Sequence, residues 1–284
     1  MPGLGACLDH VGIVARDLAA AAALYQRLGF QLTPQARQQG PLAEGGASVP
    51  WGSANRCAML RRGYLEIIGI VDAALYDNGL GAFLVRYEGM HILAFGTDDA
   101  DAAVARLRVA GLEVPGVKPM QRPAGGGIAR FRRVPLAAAP EGRIQLIQRE
   151  TPELMWQDPL LEHPNRALAL SEAVLCVADI TEAAARFSRL TGVPARPAEG
   201  CAIFDLPRGG RLVLCAVAGL SRLLPDLTPP SLPWLASFAV ETADGNQAAG
   251  RLLSEHGVPY TIDGKRLIVA PEAAGGAACI FAAS

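Results

Sequence analysis

A chain of 284 residues, 51% hydrophobic and 19% charged, can build a sizeable core and is long enough for one large domain or two of ordinary size. Its formal net charge of −1 gives no field that would draw nucleic acid or an anionic membrane surface. No apolar run reaches the roughly 18 residues of a membrane helix. The opening residues, Met1-Pro2-Gly3-Leu4-Gly5-Ala6, do not read as a signal peptide, so a cytoplasmic location is expected. The partner this leaves is a small molecule, with a homodimer as the one assembly left open.

In chain order, a strand over 8–15 leads through Asp17 into an Ala-rich helix over 17–28 that Gly29 closes. Short strands follow at Phe30-Gln31-Leu32-Thr33, Asn55-Arg56-Cys57-Ala58-Met59-Leu60 and Tyr64-Leu65-Glu66-Ile67-Ile68-Gly69-Ile70. The order then repeats. A second unit has a strand over 89–96, a helix over 98–110 opened by Asp98, and strands near 112–120, 128–134 and 142–148. The segment 151–169, with Pro152, Pro159 and Pro164, reads as a connector. A third unit starts at Leu170, with a helix over 181–191 opened by Thr181 and strands at 201–204 and 211–215. A fourth has a strand over 235–240, a helix over 244–256 opened by Asp244, and strands near 258–262, 266–270 and 277–282. Four β-α-β-β-β units imply an α+β fold of two paired-unit domains, 1–150 and 170–284. Each would be a curved mixed sheet around a cleft, with helices outside. The six cysteines are scattered, without Cys-x-x-Cys, and read as buried reduced thiols.

The repeat, as read from the sequence, sets a His at the same place twice. His10 stands seven residues before Asp17, and His91 seven before Asp98. With only four His in the chain, that symmetry points to two ligands brought together. Glu66, between Leu65 and Ile67, is expected to face the cleft, because an unpaired carboxylate is costly to bury. Trp51 and Asn55 flank a Gly-Ser-Ala stretch. They are a substrate wall and a loop-ordering amide, or else a turn with a packed Trp. Alternation sets Arg130 and Arg132 on one face, opposite Phe131 and Arg133. That face either binds a substrate carboxylate or phosphate or is solvated. Trp156 and His163 in the connector are expected to tie it down.

Leu8-Asp9-His10-Val11-Gly12-Ile13, Asp17-Leu18 with Leu28-Gly29-Phe30, and Gly63-Tyr64-Leu65-Glu66-Ile67-Ile68 resemble the vicinal oxygen chelate superfamily, which includes glyoxalases, extradiol dioxygenases and bleomycin-resistance proteins. Trp51-Gly52-Ser53-Ala54-Asn55 is similar to a signature of its glyoxalase-like branch. The resemblance implies metal ligands on the first and last strand of each unit: His10, Glu66, His91 and Gln145. Gln145 stands where the family expects a second carboxylate. Such an N/O set suits one divalent transition metal, Zn, Ni, Co, Mn or Fe(II). The metal would polarise adjacent substrate oxygens or bind a catecholate and dioxygen, with Glu66 as the catalytic base. In the second half Glu172, Ala236 and Val213 hold the places of His10, His91 and Glu66. Cys279 or Ile280 falls on the last strand, so that half reads as a degenerate copy. The expected function is a metal-assisted lyase, isomerase or dioxygenase acting on a small oxygenated molecule. The alternative is a metal-free protein of the same fold that binds a small molecule or sequesters an antibiotic.

Overall fold

The computed structural model describes residues 6–43, 46–136 and 139–283. The first strand, β1 (Leu8–Ala15), is followed by α1 (Leu18–Arg27), β2 (Ala36–Pro41), β3 (Ser48–Met59) and β4 (Tyr64–Ile70). A short helix, α2 (Leu80–Arg86), leads to β5 (Gly89–Gly96), α3 (Ala100–Val109), β6 (Lys118–Ala124), β7 (Gly127–Pro135) and β8 (Arg143–Arg149). After two 3-10 turns come β9 (Ala167–Cys176), α4 (Ile180–Thr191), β10 (Arg196–Ala198), β11 (Cys201–Asp205) and β12 (Arg211–Cys215). Then follow α5 (Val217–Leu223), β13 (Trp234–Thr242), α6 (Gln247–Glu255), β14 (Thr261–Asp263), β15 (Arg266–Val269) and β16 (Ala278–Ala283).

The strands form two 8-stranded mixed sheets, ordered β2-β3-β4-β1-β5-β8-β7-β6 and β10-β11-β12-β9-β13-β16-β15-β14. Each sheet joins two β-α-β-β-β units through an antiparallel seam between their first strands, β1 with β5 and β9 with β13. In the first sheet the edge strands β2 and β6 approach each other, so the sheet curls toward a barrel around its concave face.

The helices start where a polar side chain accepts from the first free amides. Asp17 accepts from Ala19 and Ala20, and Asp179 accepts from Glu182. In the second unit the cap is Asp99, which accepts from Ala102; Asp98 instead pairs with Arg208. The fourth helix follows Asn246, whose amide is held by Thr242, Lys265 and Phe281. Asp98 and Thr181 are therefore not the caps, whereas Asp244 accepts from Ala248 in the first turn of α6, as expected. Two helices go beyond the sequence reading: α2 and α5, seven residues each, at matching points of the two halves.

The convex faces of both sheets and the inner faces of α1, α3, α4 and α6 share one hydrophobic cluster. Tyr25 and Phe30 of the first half stack on Phe238 and Phe281 of the second, and Phe95 meets Phe187 edge-on. The helices are thus outside each cleft yet inside the joint between halves. Buried Glu141 takes both terminal nitrogens of Arg186, at 2.5 and 2.9 Å, across that joint. The connector is pinned as expected: Trp156 donates to the Leu60 carbonyl at 2.7 Å, and His163 donates to Met59 and accepts from Gln31. All six cysteines are free.

Candidate active site

The site is built on two neighbouring rows across the concave face of the first sheet. The registers align Tyr64, His10, Ala94, Gln145 and Pro135 in one row, and Cys57, Glu66, Gly12, Ile92 and Arg143 in the next. Directly opposed residues share a face, so both rows look into the cleft. The small residues Gly12 and Ala94 at the seam leave the floor open. A Cβ at Gly12 would lie 2.7 Å from the Ile92 side chain. The cavity of about 70 Å³ is lined by His10, Asn55, Glu66, Gln145, Arg122, Arg133 and Arg143, among others.

His10 is held from three sides. Its Nδ1 donates to Asp9 Oδ1 at 2.6 Å, its ring stacks on Tyr64 at 4.5 Å, and its Nε2 lies 4.0 Å from Glu66 Oε2. Adjacent strand residues normally point to opposite faces. Asp9 reaches His10 because the β1–β5 register slips between Leu8 and His10, leaving Asp9 as a bulged residue. Arg149 pairs with Asp9 and lies 4.1 Å over the Trp156 ring, so the connector anchors the back of the site. Glu66 Oε1 accepts from Asn55 at 2.5 Å, and Arg122 donates to Asn55 Oδ1 at 2.9 Å. Gln145 is buried, and its Oε1 meets no donor among the described residues. Burial, followed by the charges of Asp9 and Glu66, holds the Tyr64 phenol well above its ordinary pKa, so it stays protonated.

Four of the sequence-derived site residues, His10, Glu66, Gln145 and Asn55, line this cavity. The others lie elsewhere. His91 is the bulged residue of β5. It sits between Phe83 and Tyr87, its Nε2 donating to the Tyr87 carbonyl at 2.9 Å. Burial pushes its pKa down to about 4, which keeps it neutral. Ile92, seven residues before the Asp99 cap, is the cleft-facing counterpart of His10. Trp51 is buried against Tyr76, with Nε1 donating to Gly40. Arg130 is exposed, and Arg132 turns outward to Asp101. The opposite face of β7, with Phe131 and Arg133, enters the cleft, because β8 sets its register: Arg133 opposes Ile147, which shares a face with Gln145. Arg143 on β8 and Arg122 on β6 complete the cationic wall, a role that residue type alone did not single out.

These residues do not fit the expected divalent-metal centre. Among the described residues no three His, Cys, Asp or Glu side chains converge. Ile92 fills the fourth position, and one Glu66 oxygen is already committed to Asn55. Three guanidiniums face the cavity against a single carboxylate, which disfavours a further cation. In the second sheet the equivalent positions are Glu172, Val213, Ser237 and Ile280, with Glu172 tied to Arg211 at 2.5 Å. An apolar cluster beneath α5, including Val213, Leu220, Trp234 and Ile280, fills that cleft.

The profile of the glyoxalase-like domain family matches residues 8–191. No curated protein sequence matches the chain. Among solved structures, a hypothetical protein from Staphylococcus aureus is similar at 12% identity and TM-score 0.65, over 98% of this chain and 100% of the other. A variant of 4-hydroxymandelate synthase from Streptomyces coelicolor is similar at 14% identity and TM-score 0.62, over 99% and 93%. The Mn(II)-bound glyoxalase from Novosphingobium aromaticivorans is similar at 14% identity and TM-score 0.58, over 98% and 82%. At these identities the likeness is one of fold. The family profile spans more than half of the chain, and the chain belongs to the glyoxalase-like domain family of the vicinal oxygen chelate superfamily.

Proposed function

We propose that the N-terminal cleft carries out proton transfer on a small oxygenated molecule, as an isomerase or lyase, with His10 as the acid–base group. The observation that carries this reading is the buried Asp9–His10 pair, with Nε2 turned toward Glu66 and the cavity. With Nδ1–H committed to Asp9, the lone pair at Nε2 is presented to the cleft. When Nε2 takes a proton from a carbon beside a carbonyl, Asp9 stabilises the imidazolium. The same proton then returns to a neighbouring carbon, or a leaving group departs. Tyr64 stacking and the Arg149–Trp156 support fix the ring, which is how positioning lowers a barrier. Glu66 and the Gln145 amide are placed to hold substrate hydroxyls. The similar solved folds include a glyoxalase and a synthase, which favours turnover over mere binding.

The test is a panel of small 2-hydroxy and 2-oxo compounds, incubated with chelator-treated protein in D2O and followed by proton NMR. The reading expects solvent deuterium to enter one class of compound. It expects the rate to fall by roughly 10²–10⁴ in His10→Gln, the range typical of a lost acid–base group. Ligands bound in the cleft with no exchange and no product would replace it with a sequestering protein.

A further inference from the structure

Arg133 and Arg143 are two cationic side chains in the cleft to which the proton-transfer reading assigns no work. Both line the same cavity, and neither forms an ion pair among the described residues. Arg143 spends Nη2 on the Asn78 backbone carbonyl at 2.6 Å and lies 5.7 Å over Phe83. The Arg133 side chain makes no hydrogen bond to any described residue, and its buried Nε has no partner among them. Burial, and then the like charge of Arg143, press its pKa down to about 10. Two guanidiniums close enough to repel each other, sharing only the charge of Glu66, which forms an ion pair with neither, are an unfavourable arrangement. Two other guanidiniums of the fold are matched by carboxylates, Arg186 by Glu141 and Arg149 by Asp9, while Arg122 in the cleft is held by the Asn55 amide oxygen. Planar guanidinium forks fit carboxylate and phosphate oxygens.

We propose that Arg133 and Arg143 form an anion subsite that holds a carboxylate or phosphate group of the substrate, across the cleft floor from His10. The inference rests on the proton-transfer reading only for where the reacting carbon lies; the subsite stands on the unmatched guanidiniums. The registers set the distance: Arg143 is in the row of Glu66 and Gly12, next to the row of His10 and Gln145. A short molecule held by its acid group would therefore lay its adjacent oxygenated carbons over His10 and Glu66. The substrate class is a small hydroxy or oxo acid, or its phosphate counterpart. A catechol or a neutral aldehyde would leave the subsite empty.

The test uses the full chain in chelator-treated, phosphate-free buffer, with malonate, inorganic phosphate and neutral malonamide as probes. Thermal denaturation and calorimetry read the binding. A ligand that binds only the folded protein raises the melting temperature. Malonate or phosphate should stabilise the wild type, and malonamide should not; the stronger of the two identifies the acid group. In Arg133→Gln the anion should bind roughly thirtyfold or more weakly, the loss typical of cutting a buried charged contact. The ligand-free Arg133→Gln protein should melt higher than the wild type, because an unmatched buried charge is gone. If Arg133 were structural, the same substitution would lower the melting point. Arg133→Lys, which keeps the charge and loses the fork, serves where the Gln variant does not fold, and it should also bind malonate more weakly than the wild type. Failure of both anions to bind, or equal binding in wild type and the Arg133 variants, overturns the subsite. Arg133-dependent anion binding without any deuterium exchange would leave the subsite standing and remove the proton-transfer reading alone.

Discussion

His91 is the symmetry counterpart of Asp9, not of His10. The registers that pair His10 with Ala94 and Gly12 with Ile92 exchange His10 with Ile92 when the two seam strands are interchanged. Asp9 and His91 then coincide, and each is the bulged residue of its strand. One copy uses its bulge to place a carboxylate behind the cleft-facing imidazole of His10. The other uses it to tuck a neutral imidazole under α2. The site is therefore asymmetric, with one imidazole and one carboxylate, where an even pair of His would favour a metal.

Ile92→His should create the missing ligand. An imidazole there would face His10, Glu66 and Gln145 across the open floor. Supporting groups alone change metal affinity by roughly ten- to a hundredfold, so adding a ligand should bring at least that gain. Calorimetric titration of Zn(II) into the variant and the wild type checks it; equal affinity would mean that position 92 does not address the cavity.

The protonation of His91 predicts an acid-labile fold. Its folded pKa is about 4, and an exposed His titrates near 6.5. The unfolded chain therefore takes up a proton that the folded chain refuses. Stability is unaffected above about pH 6.5 and falls as pH drops toward 4, by up to about 3 kcal/mol. His91→Phe, which can keep the stack on Phe83 and Tyr87, should flatten this slope. Burial of His163 shifts it in the same direction and would leave a smaller slope behind. Urea denaturation at pH 7 and pH 4.5 measures both.

Arg186→Ala should loosen the joint between halves. It strands buried Glu141, and breaking a buried pair costs about 3–5 kcal/mol. Arg132→Ala removes the partner of exposed Asp101 and a long bond to Gln148, and should cost less than about 1 kcal/mol. Denaturant titration of the two variants, side by side, tests the contrast.

Gly276→Ala should damage the same joint. Gly276 has φ +92, and a Cβ there would run into the Glu88 carbonyl and Gly89 of the other half. A strained backbone costs about 1–3 kcal/mol before the clash is counted. Gly264→Ala, with positive φ but nothing near its Cβ, is the control that separates strain from contact. Equal losses in the two would remove the joint from the explanation.

Particular residues show why some of this was legible in the sequence. The strand over 8–15 and the first helix could be read, because alternation, Asp17 and Gly29 all agree. The second unit slipped by one residue, because Asp98 and Asp99 are adjacent and either can cap a helix. With Asp98 as the cap, His91 aligns with His10; with Asp99, Ile92 does. Bulges leave no mark in residue type, so the distinct roles of Asp9 and His91 needed the register. Arg130 to Arg133 showed the right chemistry, but pairing with β8 decided which face turned inward. The short helices α2 and α5 are seven-residue apolar stretches, too brief for a helical period to show.

As proposed, the cleft addresses an organic anion through His10 and its arginines without a resident metal. Titration of Mn(II), Zn(II) and anaerobic Fe(II) into chelator-treated wild type, beside His10→Ala, tests it most directly. No stoichiometric binding is expected in either protein. One tightly held equivalent in the wild type, lost in His10→Ala, would contradict it and make a metal centre of His10, Glu66 and Gln145.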